Sequence, residues 1–365
     1  MNKRWPGLLL TLAMLTGCDD QHILERTGFC HTISYDLLPD HNFKIGLSVP
    51  KADPNSKTDR EVLQAIAHSS KDSQPKLVRQ TSLLLVNGQL RNLLFSLPLA
   101  EGGLLDQMDT LSRDPSIPPK VKITLADGDA YDLLKKNYKE HPRTDRYIYT
   151  LLEKEAAYQT VPEATLYEFI RDYYDDGIDP IAPIIKDAGD TITVSGVGLF
   201  RGDRYITRIK PDDLHILALL RHNLRHADMT IHLASEGQHK ELITFNYLKS
   251  DRKIDVLRDK SGKPVVMIHI KASGSVLEYI GKLKLHSDAD RNTLLQQAAR
   301  HLESRADEMI KFMQDNKVDS VGIGAYVRNS MSYASWKKLD WYEEYAHLTV
   351  KCKVDLNIVN SGQTL

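Results

Sequence analysis

Two histidines in the middle of the chain have the spacing of metal ligands. In the segment RHNLRH, His222 and His226 lie four residues apart, so a helix would place both imidazoles on one face, where they could bind zinc. The HExxH pattern is absent, and neither a cysteine nor a carboxylate stands at a spacing that would complete the ligand set. Cationic side chains that interact favourably with the dipole at a helix end are the simpler interpretation. We therefore predict no metal site.

Other segments that could indicate ligand binding or catalysis are also better explained by structural roles. The glycines of SGVGLFRG and VGIGAY do not form the GxGxxG pattern of a nucleotide site, and KASGSV lacks the GxSxG pattern of a serine nucleophile. The RGD tripeptide at 201–203 lies between two strand-like segments, which indicates a hairpin turn. The carboxylates of YYDD at 173–176 suit a helix end. The sequence thus contains no predicted catalytic residue, and we predict that the protein is not an enzyme.

Cys18 has a setting that predicts a covalent modification. Lys3 and Arg4 precede an apolar run over 8–15, which has the length of a signal-peptide core and is too short to span a bilayer. The next residues complete the tetrapeptide LTGC, which resembles the lipobox of bacterial lipoproteins. This motif implies cleavage between Gly17 and Cys18 and attachment of diacylglycerol to the Cys18 thiol. An ordinary secretory signal with an incidental cysteine is the alternative.

The predicted processing divides the N-terminus into two short segments. Residues 1–17 would be a signal peptide, and residues 18–24 a lipidated tether. At about 0.8 kcal/mol for each buried CH₂ group, two acyl chains give stable anchoring, whereas one chain would be marginal. We therefore expect a domain held by lipid on the outer face of a membrane, with the covalent diacylglycerol and no other cofactor.

Charge and cysteine content exclude several classes of protein. The 365 residues include 48 basic and 49 acidic side chains, and this balance argues against a nucleic-acid partner. Three cysteines cannot form a disulfide scaffold. Cys352 lies on the apolar side of a predicted strand, where a buried thiol packs as a small hydrophobic group. A disulfide between Cys30 and Cys352 is the alternative.

Periodicity in the N-terminal half predicts alternating strands and helices. GFCHTISYDLL, FKIGLSV and KVKITLA have the composition of strands, whereas DREVLQAIAHSS has apolar residues at helical spacing. QLRNLLFSLPL fits the second strand of a hairpin or a helix about equally. The prolines and glycine of DPIAPIIKDAGD predict a domain boundary near 180–190.

The C-terminal half has the clearest patterns. DTITVSGVGLF and RYITRI predict a hairpin, and VDSVGIGAYV predicts a strand. LTVKCKVDLNIV alternates strictly between apolar and polar residues, as a half-buried strand does. One apolar stripe marks a long amphipathic helix, formed by Leu294, Ala298, Leu302, Ala306, Met309 and Met313. This order of elements predicts an α+β fold of sheets covered by helices.

With these motifs in place, the chain resembles the Ger(x)C-type spore germination lipoproteins. SGVGLFRGDRYITRI is similar to the strand–turn–strand that begins the C-terminal region of that family, and LSRDPSIPPKVKITLADGDAYDLL is similar to an N-terminal segment. The most specific part runs from VDSVGIGAYV through the tryptophan-containing segment to the last strand. The lead-in DDQHILERTGF and the region before Trp336 depart from the family pattern in detail.

The resemblance implies three domains, each a mainly antiparallel or mixed β-sheet flanked by α-helices. We place them at 25–188, 189–258 and 259–365. It also implies a non-catalytic subunit of a nutrient germinant receptor, which works with two integral membrane partners, the A and B subunits, at the spore inner membrane. Beyond the lipidated Cys18, the resemblance assigns no functional residue to this chain.

Aromatic residues near the C-terminus suggest one further contact. Trp341 and Tyr342 could touch an integral membrane subunit if they are exposed, although their helical spacing also suits a core. The alternative function is a solute-binding lipoprotein of a membrane importer, for which we would expect a deep cleft between two doubly wound lobes.

Overall fold

The computed structural model describes residues 26–51, 58–233 and 241–360, so Gly17, Cys18 and the predicted signal peptide and tether lie outside the described residues. The strands are β1 Thr27–Phe29, β2 Thr32–Leu37, β3 Phe43–Pro50, β4 Arg60–Ala67, β5 Leu84–Val86, β6 Asn92–Ser96, β7 Lys122–Ala126, β8 Ile181–Asp187, β9 Ile192–Arg201, β10 Arg204–Ile209, β11 Ala227–Leu233, β12 Glu241–Arg258, β13 Pro264–Ile280 and β14 Thr349–Asn360. The helices are α1 Ser70–Val78, α2 Leu97–Gly102, α3 Leu105–Ser112, α4 Ala130–Lys135, α5 Thr144–Ala157, α6 Leu166–Tyr174, α7 Leu214–Arg221, α8 Asp288–Asp315, α9 Ile323–Asn329, α10 Tyr333–Trp336 and α11 Trp341–His347.

The first large sheet has eight strands in the order β10-β9-β8-β7-β6-β2-β3-β4. Its central strands β2, β6, β7 and β8 run parallel, and the pairs at both ends are antiparallel. All residues of β6 and β7 are buried, because helices cover both faces of the sheet. Leu93 and Phe95 therefore pack in one core, whereas Leu94 packs in another on the opposite face.

The second large sheet has four strands in the order β11-β12-β13-β14, and β14 pairs in parallel with β13. Helix α8 packs against β14 and buries the whole predicted apolar stripe, from Leu294 to Met313. Cys352 and Val354 alternate with exposed residues along β14. The α+β class, the long helix and the last strand are thus confirmed. A small additional pair joins β1 to β5.

Two predictions about local structure were wrong. DREVLQAIAHSS contains strand β4, in which Leu63 and Ala65 are buried while Ile66 is 56% exposed, so the period is two rather than 3.6. VDSVGIGAYV forms a turn followed by α9, because Gly322 has φ 79° and starts a helix. QLRNLLFSLPL, which fitted two interpretations, contains strand β6 followed by α2.

The two large sheets divide the chain differently from the predicted domains. The segment predicted as a boundary near 180–190 contains β8, which pairs with β7 on one side and β9 on the other. The eight-stranded sheet therefore continues through 188 as far as Ile209. Likewise, β12 and β13 pair from Leu242–Ile280 to Arg258–Pro264, so the predicted limit at 258 falls within one hairpin.

Candidate functional site

The DSVGIG segment forms a turn that is closed by its own aspartate. The Asp319 carboxylate accepts hydrogen bonds from the backbone N–H groups of Gly322 at 3.0 Å, Ile323 at 2.9 Å and Gly324 at 2.6 Å. Without the carboxylate, the N–H groups of Ile323 and Gly324 would be buried without these partners, which is costly, whereas the Gly322 N–H also donates to the Asp319 carbonyl at 3.2 Å. The spacing D-x-x-G-x-G thus has a structural cause: the aspartate caps the turn, and Gly322 adopts its left-handed backbone.

A second buried aspartate joins this turn to the eight-stranded sheet. The Asp319 N–H donates to the Asp179 carboxylate at 2.7 Å, and the Asp179 N–H donates to the Asp319 carbonyl at 3.0 Å. Asp179 also accepts hydrogen bonds from the Gly202 N–H and the Tyr342 hydroxyl, both at 3.0 Å. We call Asp179, Asp319 and these partners the aspartate junction. It links the loop before β8, the β9–β10 turn and the C-terminal helices.

Two glycines let the backbones approach at this junction. The Ala325 N–H donates to the Gly177 carbonyl at 3.0 Å. A Cβ on Gly324 would lie 2.6 Å from the Gly177 Cα and 2.6 Å from the Trp341 ring, which is too close for any side chain to fit without movement. The contact between the two parts of the chain therefore requires glycine at 324.

Burial controls the protonation of the junction. Asp319 is fully buried, and loss of solvation raises its pKa to about 7, although the backbone N–H groups that it accepts from act in the opposite direction. Burial likewise raises the pKa of Asp179. Each negative charge also disfavours ionisation of the other aspartate. Asp179 and Asp319 therefore stay protonated to a higher pH than exposed aspartates do.

The aromatic residues predicted as partner contacts belong largely to this interior. Trp341 is 9% exposed, its ring centroid lies 5.3 Å from that of Trp336 and 5.7 Å from that of Tyr345, and its Nε1 donates to Asp319 at 3.2 Å. Burial therefore corrects the prediction that Trp341 is available to a partner. Tyr342 is half-buried and its hydroxyl is engaged by Asp179. A partner contact at Tyr342 stays a prediction.

A polar cleft of about 700 Å³ lies beside the aspartate junction. One wall comes from α5, α6 and the loop between them, and the other from the end of α7, strand β12 and the start of α9. Two arginines of the cleft share one buried carboxylate: Arg171 donates to Asp172 at 2.7 and 2.8 Å, and Arg221 donates to it at 2.6 Å. The cleft thus lies where the two large sheets meet.

Arg252 and His222 occupy the same cleft with different surroundings. The Arg252 guanidinium donates to the Leu220 carbonyl and, at 3.4 Å, to the Tyr326 hydroxyl, and both acceptors are neutral. Burial and the nearby charges of Arg221 and Arg252 lower the pKa of His222 to about 4, so its imidazole is neutral at pH 7.

The two histidines considered as zinc ligands are separated by the fold. His222 is the C-terminal cap residue of α7, whereas His226 is exposed beyond the helix and has its ring centroid 6.3 Å from that of Tyr247. Within 26–51, 58–233 and 241–360, no group of three histidine, cysteine or acidic side chains could hold a metal ion.

The remaining motifs have structural roles. Cys30 and Cys352 are free and buried in different cores, which excludes the disulfide alternative, and burial raises the pKa of each thiol to about 12. Asp203 of the RGD tripeptide lies in the turn between β9 and β10 and accepts the Leu105 N–H at 2.9 Å. No helix in the described part of the chain is both long enough and apolar enough to cross a bilayer.

Sequence reasoning identified only part of the candidate site. It singled out the segment that contains Asp319 by its glycine spacing, but gave Asp179, Arg221 and Arg252 no role. Asp179 stands just before Pro180 in a segment that we interpreted as a domain boundary. Single aspartates and arginines are too common in a sequence to indicate burial, so no local signal was available for these three residues.

The fold matches that of a protein of known structure. A crystal structure described as the GerBC protein superposes with a TM-score of 0.56, covering 93% of this chain and 100% of that chain at 16% sequence identity. Both chains thus share an α+β architecture of mixed sheets flanked by helices. By its fold, the protein belongs to the class of multidomain α+β proteins in which helices cover mixed β-sheets.

The sequence comparisons identify the family. Residues 20–187 match the spore germination protein N-terminal domain, and residues 195–362 match the spore germination B3/GerAC-like C-terminal domain. The chain therefore belongs to the Ger(x)C-type spore germination proteins. It is similar to the spore germination protein GerQC of Bacillus cereus, with 23% identity over 99% of both chains. It is also similar to the putative spore germination protein YfkR of Bacillus subtilis strain 168, with 21% identity over 97% of this chain and 95% of the relative.

Proposed function

We propose that this protein is a non-catalytic, lipid-anchored subunit of a spore nutrient germinant receptor. One observation carries the proposal: the two family matches cover residues 20–187 and 195–362, and the first begins two residues after Cys18 of the LTGC tetrapeptide. Spore germination domains would then make up nearly the whole mature chain, and a short tether would connect them to the lipid on Cys18.

The proposed anchor is diacylglycerol on Cys18. The basic residues, the apolar run of signal-peptide length and the small residues before Cys18 support this modification. Attachment to the outer face of the spore inner membrane would keep the folded domains within a few nanometres of any membrane partner. The resulting high effective concentration makes modest contacts sufficient for assembly.

The proposed partners are the two integral membrane subunits of the receptor, the A and B subunits. The name GerQC and the crystal structure of GerBC belong to germination proteins of the same architecture, and this family relationship supports assembly into such a complex. We assign this subunit a structural rather than a catalytic role in the response to nutrients, because both halves of the chain match spore germination domains.

Replacement of Cys18 tests the anchor. We expect Cys18→Ala to move the protein from the membrane fraction of spores to the soluble fraction and to slow nutrient-triggered germination, because the thiol is the only proposed attachment point. Cys352→Ala is the matched control, since that thiol is buried in a core and should leave fractionation unchanged. A Cys18→Ala protein that remained in membranes and supported normal germination would overturn the anchor.

Crosslinking in isolated spore membranes tests the partners. Mild crosslinking followed by purification of this protein should recover integral membrane germination subunits. Recovery of importer permease and ATPase components instead would favour the solute-binding alternative and overturn the receptor assignment. The Cys18→Ala protein provides the comparison, because loss of the anchor lowers the effective concentration and should reduce recovery.

A further inference from the structure

The cleft between the two large sheets contains an arginine, Arg252, that has no acidic partner among the described residues. Arg171 and Arg221 share the single negative charge of Asp172. Arg252 adds a third guanidinium, for which the described residues supply only neutral acceptors. Burial and the nearby charge of Arg221 lower the pKa of Arg252.

The acidic residues that line the cleft are already engaged elsewhere. Glu153 and Glu163 face the buried Lys122 amine at 2.6 and 3.8 Å. Glu168 closes the capping box of α6, and Asp175 pairs with Arg328 at 2.6 Å. None of these four carboxylates neutralises Arg252, so an incoming anion would meet an uncompensated guanidinium.

The size, the apolar walls and the acidic residues of the cleft favour a small, singly charged organic anion. Its volume lies within the usual range for small-molecule sites. Apolar side chains form part of the walls, including Ala156, Ala157, Val161, Ile178 and Val321. His222 lines the cleft and is neutral at pH 7, so its ring can donate one hydrogen bond to a ligand without adding charge. The four lining carboxylates would repel a doubly charged phosphate more than a singly charged group.

We propose that this cleft binds a small organic carboxylate, with the carboxylate on Arg252 and His222 and the apolar part against the walls. The planar guanidinium fork matches the two oxygens of a carboxylate, and charge-assisted pairs of this kind are strong in a partly enclosed site. Binding would also raise the pKa of His222, because the negative charge favours the imidazolium form. This inference concerns a ligand site and does not depend on the lipid anchor or on the receptor partners.

Ligand-observed NMR on the full-length protein in detergent tests the proposal with benzoate, its neutral isostere benzamide and inorganic phosphate. We expect saturable benzoate binding with a Kd below roughly 10 mM. Benzamide should bind about tenfold more weakly, because it lacks the charge that pairs with the guanidinium. Absence of saturable benzoate binding would overturn the proposal. Tighter binding of phosphate than of benzoate would overturn the assignment to a carboxylate.

Two variants locate the site. Arg252→Met should weaken benzoate about tenfold or more. Lys253→Met is the matched control, because that side chain is 75% exposed on the other face of β12 and should leave the affinity unchanged. Equal affinities of these two variants would overturn the location. If Arg252→Met does not fold, Ala157→Phe replaces it as the test, because a larger side chain at this exposed position narrows the cleft and should weaken benzoate binding. Unaltered benzoate binding by Ala157→Phe would overturn the proposal.

Discussion

The aspartate junction and the neighbouring cleft are both polar regions between the two large sheets, but they are satisfied in different ways. In the junction, Asp179 and Asp319 accept hydrogen bonds from backbone N–H groups, a hydroxyl and an indole of the same chain. In the cleft, Arg252 has only neutral acceptors among the described residues. A closed network of this kind stabilises a fold, whereas an incompletely paired cation in a cleft is available to a ligand.

This difference separates structural residues from binding residues. Substitutions in the junction should lower the free energy of unfolding, because buried donors or carboxylates lose their partners. Substitutions in the cleft should change ligand affinity with little effect on stability.

The largest effect is expected at the glycine contact of the junction. Gly324→Ala places a Cβ 2.6 Å from both the Gly177 Cα and the Trp341 ring, so the two segments must move apart. We expect a loss of about 3 kcal/mol in the free energy of unfolding, measured by urea denaturation. Gly102→Ala is the control, because a Cβ there meets nothing within 4 Å. Equal stabilities of the two variants would show that the junction is not tightly packed.

The aspartate of the turn should rank next. Asp319→Asn replaces an acceptor of three backbone N–H groups with a side chain that has one acceptor oxygen and a donating amide. We expect a loss of about 2 kcal/mol in urea denaturation at pH 7. Asp255, which is half-buried on β12 and pairs with the exposed Lys253 at 2.8 Å, gives a control as Asp255→Asn, because an ion pair near the surface contributes little to stability. A stable Asp319→Asn protein would contradict the capping role.

The raised pKa of Asp319 predicts a dependence of stability on pH. The folded state holds the Asp319 proton up to a pKa of about 7, whereas the ordinary value is 3.8, so between these values the folded protein binds more protons than the unfolded one. The contribution of Asp319 to the free energy of unfolding therefore decreases as pH rises from about 4 to about 7. The raised pKa of Asp179 acts in the same direction. Urea denaturation between pH 4 and pH 7 should show that the free energy of unfolding changes less with pH for Asp319→Asn than for the unmodified protein. Equal changes with pH in the two proteins would refute the raised pKa of Asp319.

The smallest effect on stability is expected in the cleft. Arg252→Met removes hydrogen bonds to two neutral acceptors and relieves a buried positive charge, so these two contributions partly cancel. We expect the free energy of unfolding to change by less than about 1 kcal/mol, in contrast to the junction variants. A loss as large as that of Asp319→Asn would place Arg252 among the structural residues and remove the distinction between the two regions.

Regular elements with a strong local period could be predicted from the sequence. The stripe of α8 and the alternation of β14 are each repeated over enough residues that burial of one face leaves a clear pattern. Strand β4 shows the limit of this approach. Val62, Leu63, Ile66 and Ala67 fit a helical spacing, although the segment forms an edge strand of the sheet. The turn at Gly322 was mistaken for a strand because two glycines between apolar residues occur in both.

Local sequence patterns were sufficient to recognise the family, the strongly periodic elements and the motif that predicts a lipid anchor at Cys18, since these depend on residues close together in the chain. The folded structure was needed to show which polar residues meet. Asp179 and Asp319 are 140 positions apart, and Asp172 and Arg221 are 49 apart. Their protonation and pairing follow from burial between two sheets, and burial of a single charged residue leaves no local pattern in a sequence.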